Sequence, residues 1–381
     1  MRKIENNRSL KVLSAALWGV AALGTPTVAE TVTVTPDMVG TELSNLNQLQ
    51  TDEVRNFNFN SSEETYTVTK NLGTSTAGEI NINGIIGETA KSVIDLNTNK
   101  GFVLNGDATL NISNIEFKNA YTTSGVSVLD INKGTANLTN VDFTKNVFES
   151  STENASGPIF NNGKINIISG AFNSNGAIGT GTRQGLGGAI DNSGNGFIET
   201  INANFVGNYT KSGNNNGSYG GAIYNKGSIG NITGNFDGNY ALSDNNSSHG
   251  GAIFNRGSIA DINGNFTNNY VLSETEQVTG GAISNSGNIS SITGDFINNH
   301  LKTNGNALAY GAAISNAPLS NYSGTTTIKD IHGNFINNYS ESVSGDTVGG
   351  ITNQKATINS INGYFEGNYA LSGGRASGGC N

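Results

Sequence analysis

The chain has 381 residues, of which 52 are Gly and 4 are Pro, and charged residues make up 13%. This Gly share is about twice the usual share of roughly 7%, but the few prolines exclude collagen and Pro-rich linkers. Regularly placed Ile and Phe argue against a disordered, highly charged chain. The net charge is −9, which disfavours nucleic acid and anionic membrane surfaces as partners.

Residues 1–29 have the three parts of a secretory signal peptide. "MRKIENNRSLK" is basic, "VLSAALWGVAALG" is apolar, and "TVA" ends in the small Ala29. A transmembrane anchor is the alternative, but it needs about 20 apolar residues. Removal of residues 1–29 leaves 16 Lys and Arg against 28 Asp and Glu, a net charge of −12. The sequence therefore predicts an exported, acidic protein.

Two irregular regions follow the predicted signal peptide. Residues 30–98, with "TVTVT" and "YTVTK", alternate like strands but show no clear period. We expect an N-terminal cap there, since terminal repeats must shield a stack. Residues 99–186 contain shortened copies of a later repeat, for example "LNISNIEFKN" and "INIISGAFNSN". They predict degenerate coils of the same architecture.

Residues 187–381 repeat a pattern with a period of about 30 residues. The pattern is Gly-Gly-Ala-Ile-x-Asn, a turn, Ile-x-x-Ile-x-Gly-x-Phe-x-x-Asn-Tyr and a polar loop, as in "GGAIYNKGSIGNITGNFDGNY". Such a period indicates a repeat protein whose units bury their apolar faces only by stacking. One step is longer, which predicts that "APLSNYSGTTT" contains an inserted loop on one face.

The repeat favours strands over a helix. Ile232, Gly234 and Phe236 share one face at period 2, and a Gly in every copy would cost a helix about 1 kcal/mol. Short strands repeated in register predict an all-β parallel β-helix of roughly 30-residue coils, with Gly at corners and Asn bonding to Asn. The repeated residues are then structural: Ile190, Ile223, Ile253, Ile283, Asn225, Asn255, Asn285, Phe205, Phe236, Phe266, Phe296, Phe335 and Phe365.

The C-terminal end lacks a visible cap. The sequence stops at "SGGRASGGCN", where another Gly-Gly is due, so we expect a truncated chain. The single Cys380 excludes a disulfide framework within the chain. We interpret it as incidental, with intermolecular pairing as the alternative.

Gly-Gly-Ala-Ile, intact at 187–190, 220–223, 250–253 and 280–283, alternates with Phe-x-x-Asn through most of the chain. This combination resembles the repeats of the chlamydial polymorphic outer membrane proteins and, more loosely, the passenger regions of other autotransporter adhesins. The resemblance implies a right-handed parallel β-helix on a bacterial surface that binds host cells or associates with itself. Those families end in a translocator barrel, and no segment of this sequence has that pattern, so outer-membrane anchoring is implied by the resemblance alone.

The rival class is an enzyme, since parallel β-helices also carry polysaccharide lyases and glycoside hydrolases. Two carboxylates would have to face one sugar. Asp237 and Glu366 occupy the same position of the repeat, but the copies between them have other residues there, so no acidic pair forms on adjacent coils. Asp295 is expected on a solvated face. His249 in a loop, His300 in the Tyr slot and His332 on a strand share no phase and predict no metal site. We expect no catalytic residue and no cofactor.

The position after Phe-x-x-Asn is aromatic in most copies, which predicts a ladder of Tyr209, Tyr240, Tyr270, Tyr339 and Tyr369, with His300 in the same slot. An exposed ladder would stack on sugars or partner side chains, but we favour a core role. The variable loops, such as "TKSGNNNGSYG" and "VLSETEQVTG", are the expected sites of specificity. The predicted function is an adhesin that binds a host receptor or glycan or itself, with a passive stalk and the enzyme as alternatives.

Overall fold

The computed structural model describes residues 29–44, 46, 49–60, 65–85, 91–125, 127–213, 216–319 and 324–378. The predicted signal peptide, except Ala29, and Cys380 lie outside these residues. The described residues form stacked coils whose strands are parallel throughout, in four sheets, and the ten strands of one sheet mark ten coils. This confirms the predicted all-β solenoid. The only helix among the described residues is the short segment Val39–Glu42.

Sheet 1 runs the whole length of the stack and carries the Ile and Phe positions of the repeat. Its strands are Glu30–Val34, Val54–Phe59, Thr65–Thr67, Glu79–Asn83, Ser92–Asp95, Thr109–Ser113, Ile115–Lys118, Thr135–Thr144, Lys164–Asn173, Phe197–Val206, Ser228–Thr233, Phe236–Asp237, Ser258–Asn263, Phe266–Thr267, Asn288–Thr293, Phe296–Ile297, Thr327–His332, Phe335–Ile336, Thr357–Asn362 and Phe365–Glu366.

The other three sheets are ladders with one short strand per coil. Sheet 2 contains Thr74–Ser75, Phe102–Leu104, Leu129–Ile131, Ile159–Asn161, Ile190–Asn192, Ile223–Asn225, Ile253–Asn255, Ile283–Asn285, Ile314–Asn316 and Ile351–Asn353. Sheet 3 contains Tyr121–Thr122, Val147–Ser150, Gly176–Gly179, Tyr209–Ser212, Tyr240–Ser243, Tyr270–Ser273, His300–Thr303, Tyr339–Ser342 and Tyr369–Ser372. Sheet 4 contains Ala155–Ser156, Gly185–Leu186, Ser218–Tyr219, Ser248–His249, Val278–Thr279, Ala309–Tyr310, Thr347–Val348 and Ala376–Ser377.

The coils that contribute strands to sheets 3 and 4 enclose two apolar compartments. The main core lies between sheets 1 and 2, where Phe rings of successive coils stack at 4.6–5.8 Å between centroids from Phe117 to Phe365. A smaller cluster lies between sheets 3 and 4 and contains Ala241, Val271, Val278, Leu301 and Ala309. The coil therefore has a main lobe and a side lobe, which meet at the Gly-Gly-Ala-Ile corner.

Two buried ladders of Asn side chains run along the stack. In Phe-x-x-Asn, the amide of Asn208 donates to the Phe172 carbonyl at 2.9 Å and to Oδ1 of Asn239 at 3.0 Å. In the sheet 2 ladder, the amide of Asn225 donates to Oδ1 of Asn255 at 2.8 Å. Because each amide is paired with the next coil, these polar groups can be buried without an unmet hydrogen bond.

The structure differs from the predicted cap over residues 30–98. Strand Glu30–Val34 pairs in parallel with Val54–Phe59, which pairs with Glu79–Asn83 and then with Thr109–Ser113. This segment is therefore part of sheet 1 from its first residues and forms coils of the stack. A second difference concerns Ile232, Gly234 and Phe236, which were expected in one strand; in this coil strand Ser228–Thr233 ends before Phe236–Asp237 begins.

Candidate binding groove

The first Gly of each Gly-Gly-Ala-Ile motif turns the chain between sheet 4 and sheet 2. Gly250 has φ of +68°, and a Cβ placed on it would lie 2.3 Å from the Ile253 carbonyl oxygen. Both the left-handed φ and the close backbone approach require Gly. Because this corner turns back towards the outer side, the outward side chains of sheets 4 and 2 face each other across it.

Outward residues of the two sheets contact each other at successive coils. Thr279 Oγ1 and Ser284 Oγ are 2.9 Å apart, and the Tyr219 and Phe254 rings lie 5.2 Å apart between centroids. His249 stacks on Phe254 at 5.5 Å. The concave angle between the lobes is thus a groove with an aromatic floor, formed by Tyr219, Tyr224, His249 and Phe254.

The groove has a volume of about 840 Å³, within the usual range for ligand pockets. Amide side chains line it at Gln184, Asn246, Gln277 and Gln354, and hydroxyl groups line it at Ser247, Thr279, Ser284, Ser286 and Ser315. Arg256 and Lys355 are its charged residues, and none of the described lining residues is Asp or Glu. Phe254, His249 and Tyr224 are 0%, 6% and 8% exposed, so the half-buried Tyr219 is the ring of this floor that a ligand in the groove can reach, beside the amide and hydroxyl groups.

The first three residues of the predicted insertion line one side of the groove. Ala317, Pro318 and Leu319 line it, and residues 320–323 lie outside the described part of the chain. Ser286 Oγ donates to the Ala317 carbonyl at 2.8 Å, and Thr326 Oγ1 donates to the Ser286 carbonyl at 3.2 Å. Both described ends of the insertion are therefore held by the turn of the preceding coil.

Burial controls the ionisation of the groove floor. It lowers the pKa of His249 to about 4, with a smaller contribution from the charge of Arg256, so the imidazole is neutral at physiological pH. Burial also raises the pKa of Tyr219 and Tyr224, against a lowering effect of Arg256 on both hydroxyls. Arg256 lines the same groove as these aromatic residues. His249 lies in the strand Ser248–His249 and is 6% exposed, so its expected position in a loop is wrong.

Asp191 lies one coil before Tyr224 in the same outward column of sheet 2. It is 3% exposed and accepts a hydrogen bond of 2.7 Å from Ser156 Oγ. Burial raises its pKa from 3.8 to about 7, although Ser156 and the charge of Lys226 act in the opposite direction. The carboxyl group therefore takes up its proton near neutral pH.

The Asp191→Asn variant is expected to gain stability over the wild type as the pH rises. Between pH 3.8 and about 7 the folded chain keeps the Asp191 proton and the unfolded chain loses it, so wild-type stability falls through this window. We expect the difference in unfolding free energy to grow by about 2 kcal/mol between pH 5 and pH 7. Urea unfolding at each pH measures it, and parallel pH profiles would contradict it. His249 is common to both proteins and cancels.

The predicted Tyr ladder lies on the outer face of sheet 3, away from the groove. Tyr209, Tyr240, Tyr270, His300, Tyr339 and Tyr369 form one stack with centroid distances of 4.9–5.3 Å. The rings are half-buried, except Tyr369 at 41% exposure in the last coil. They belong neither to the core nor to a fully exposed platform. Burial raises the pKa of Tyr240 and Tyr270 and lowers that of His300.

The double variant Tyr240→Ala, Tyr270→Ala is expected to lower the melting temperature but to leave binding unchanged. Each ring loses stacking worth about 1 kcal/mol beyond its area, and neither ring lines the groove. Thermal unfolding and a cell-binding assay measure the two effects. Tyr364→Ala is the control, since Tyr364 is 52% exposed outside the stack. A variant that loses binding at wild-type stability would assign the binding site to the ladder.

The remaining candidate residues do not come together. Asp237 and Glu366 are separated along their column by Thr267, Ile297 and Ile336. Asp295 belongs to a polar ladder in which its Oδ1 accepts a hydrogen bond from the backbone N–H of Asn334 at 2.9 Å. His332 is exposed on sheet 1. Among the described residues, no group of three or more His, Cys, Asp or Glu could hold a metal ion.

The sequence analysis missed the groove, although the sequence contained a signal for it. Two copies place aromatic residues on both sides of the motif, as "YGGAIY" and "HGGAIF". These flanking positions vary while the motif stays constant. The variable loops that were expected to determine specificity contribute residues from their ends to the groove lining, namely Tyr219, Gln277 and Thr279.

Comparison with known proteins gives no match, since no family model, no curated protein and no solved structure matches the chain. Within the part of the chain that the structure describes, no helix is both long and apolar enough to cross a membrane.

Proposed function

We propose that the chain is an exported adhesin whose solenoid displays the groove as a binding site for a saccharide. The single observation that carries this proposal is the half-buried Tyr219 ring, which lines the groove beside amide and hydroxyl groups at the corner between the lobes. Sugars bind to such surfaces through stacking on ring faces and hydrogen bonds to their hydroxyl groups. Export and display on a cell surface rest on the N-terminal sequence and on the resemblance of the repeats.

Cleavage of the saccharide is the less favoured alternative. Glycoside hydrolysis usually needs two carboxyl groups on either side of the bond, and the described lining residues include no Asp or Glu. Asp191 is the nearest carboxyl group in the same column, but it is paired with Ser156. The passive stalk is the second alternative, and it predicts no specific binding at all.

The proposal is tested with labelled full-chain protein on cultured epithelial cells. Wild type is expected to bind saturably, and Tyr219→Ala is expected to reduce binding at least tenfold, because the half-buried Tyr219 ring lines the groove. Tyr364→Ala is the matched control and should bind as wild type does. The absence of saturable binding would favour the stalk, and full binding by Tyr219→Ala would remove the groove from the proposal. Shortened oligosaccharides in mass spectra after incubation would favour the enzyme.

A further inference from the structure

We infer that the groove selects an acidic saccharide, one that carries carboxylate or sulfate groups, and that Arg256 holds the acidic group. This inference rests on the proposed function and adds the chemical class of the ligand. It follows from the position of Arg256, from the charge of the lining and from the neutral groups around it.

Arg256 lines the groove together with the aromatic residues, and its backbone is anchored in the turn after sheet 2. It follows the buried Asn255, and its backbone N–H donates to the Asn225 carbonyl at 2.7 Å. Its charge acts on His249, Tyr219 and Tyr224. A half-buried guanidinium beside neutral rings is less screened than a surface charge, and its fork of donors fits carboxylate and sulfate oxygens.

Both charged residues in the described groove lining are basic, and the carboxyl group of Asp191 lies one coil away in the column of Tyr224. Arg256 and Lys355 line the groove, and Lys226 occupies the turn slot of Arg256 one coil earlier. The described lining residues include no Asp or Glu, whereas the whole chain has a net charge of −9. The basic groove lining is complementary to an anionic ligand, whereas the rest of this acidic protein repels anions.

The neutral groups favour a saccharide over other anions. The Tyr219 ring and the amides of Gln184, Asn246 and Gln277 match ring faces and hydroxyl groups. An acidic peptide would satisfy Arg256 but would leave most of these amides without sugar hydroxyls, and it is included in the test.

The probes are a hyaluronan hexasaccharide, the same hexasaccharide with its carboxyl groups reduced to alcohols, a heparin hexasaccharide and a short polyglutamate. Calorimetric titration of the full chain is expected to show at least tenfold tighter binding to one or both acidic hexasaccharides than to the reduced one. The hyaluronan and heparin arms distinguish carboxylate from sulfate. Arg256→Gln should lower the affinity for the acidic probe at least tenfold and leave the reduced probe unchanged.

The Gln substitution suits the turn, since Gln354 occupies the same slot in the last coil. Lys329→Gln, at an exposed position on sheet 1, is the control for loss of one charge. Equal binding of acidic and reduced probes, no effect of Arg256→Gln, or preference for polyglutamate would overturn the inference. If Tyr219→Ala abolishes binding to a neutral saccharide that Arg256→Gln leaves intact, the proposed function stands and the inference fails. If the wild type binds no saccharide and no cells, both fail.

Discussion

The Gly250→Ala variant is expected to unfold at clearly lower urea concentration than the wild type, with a loss of about 3 kcal/mol or more. A left-handed φ alone costs a residue with a Cβ about 1–2 kcal/mol. In addition, the new methyl group would lie 2.3 Å from the Ile253 carbonyl oxygen and 2.9 Å from the Phe254 nitrogen. Backbone atoms cannot move aside without opening the corner between sheets 4 and 2. Equilibrium unfolding followed by circular dichroism measures the loss.

Gly238 provides the matched control, because its φ of +62° is close to that of Gly250, but a Cβ at Gly238 would have no other atom within 4 Å. Gly238→Ala should cost only the conformational term of about 1 kcal/mol. Gly238→Asn should be close to neutral, since Asn268, Asn298 and Asn337 adopt φ of 54–57° in the same turn of other coils. If Gly250→Ala is no worse than Gly238→Ala, the close approach at the corner does not matter and the groove has no rigid frame.

The regular core could be predicted from the sequence because each position repeats its environment. Ile223 and Phe236 lie above the same residue types in neighbouring coils, and their interior faces are buried completely. In a stack of this kind every coil needs apolar residues at the same positions, so the repeat period identifies the core residues directly. The same reasoning applies to Asn225, whose amide donates to the Oδ1 of Asn255 at the same position of the next coil.

The first coils were not predicted because their length varies. In sheet 1, Glu30 pairs with Arg55, Arg55 pairs with Ile80, and Ile80 pairs with Leu110. The third of these steps along the chain is longer than the first two. Parallel pairing needs only alternating apolar residues in register, and it does not need a constant loop length. A search for a fixed period therefore treats these coils as irregular sequence.

The groove was missed for a different physical reason. Whether outward residues on two strands face each other depends on the direction in which the corner turns, and a Gly pair permits either direction. Once the corner at Gly250 turns towards the outer side, His249 and Phe254 meet at 5.5 Å. The constant Gly thus sets the geometry of the corner, and the variable residues beside the motif determine which chemical groups line the groove. This division is the arrangement expected of a binding site on a rigid scaffold.

The Asn239→Ala variant is expected to lose about 4 kcal/mol of stability, because it removes four hydrogen bonds from a position with no contact to water. Oδ1 of Asn239 accepts both the backbone N–H and the amide of Asn208 at 3.0 Å. Its own amide donates to the Phe205 carbonyl at 2.9 Å and to Asn269 Oδ1 at 3.0 Å. The buried donors of Asn208 would be left without an acceptor. Urea unfolding measures the loss.

Asn235→Ala is the control, since Asn235 also accepts a backbone N–H from the next coil, at 3.0 Å from Asn265, but is exposed. Water can replace that bond, so the variant should lose less than about 1 kcal/mol. Asn239→Asp separates lost bonds from lost volume. It keeps the acceptor for Asn208 but places a carboxylate against the Phe205 carbonyl and Asn269 Oδ1. Burial must raise the pKa of that carboxyl group, so the variant should recover stability as the pH falls, when the protonated group can donate again. A loss that is independent of pH would show that the ladder stabilises the stack by packing rather than by its hydrogen bonds.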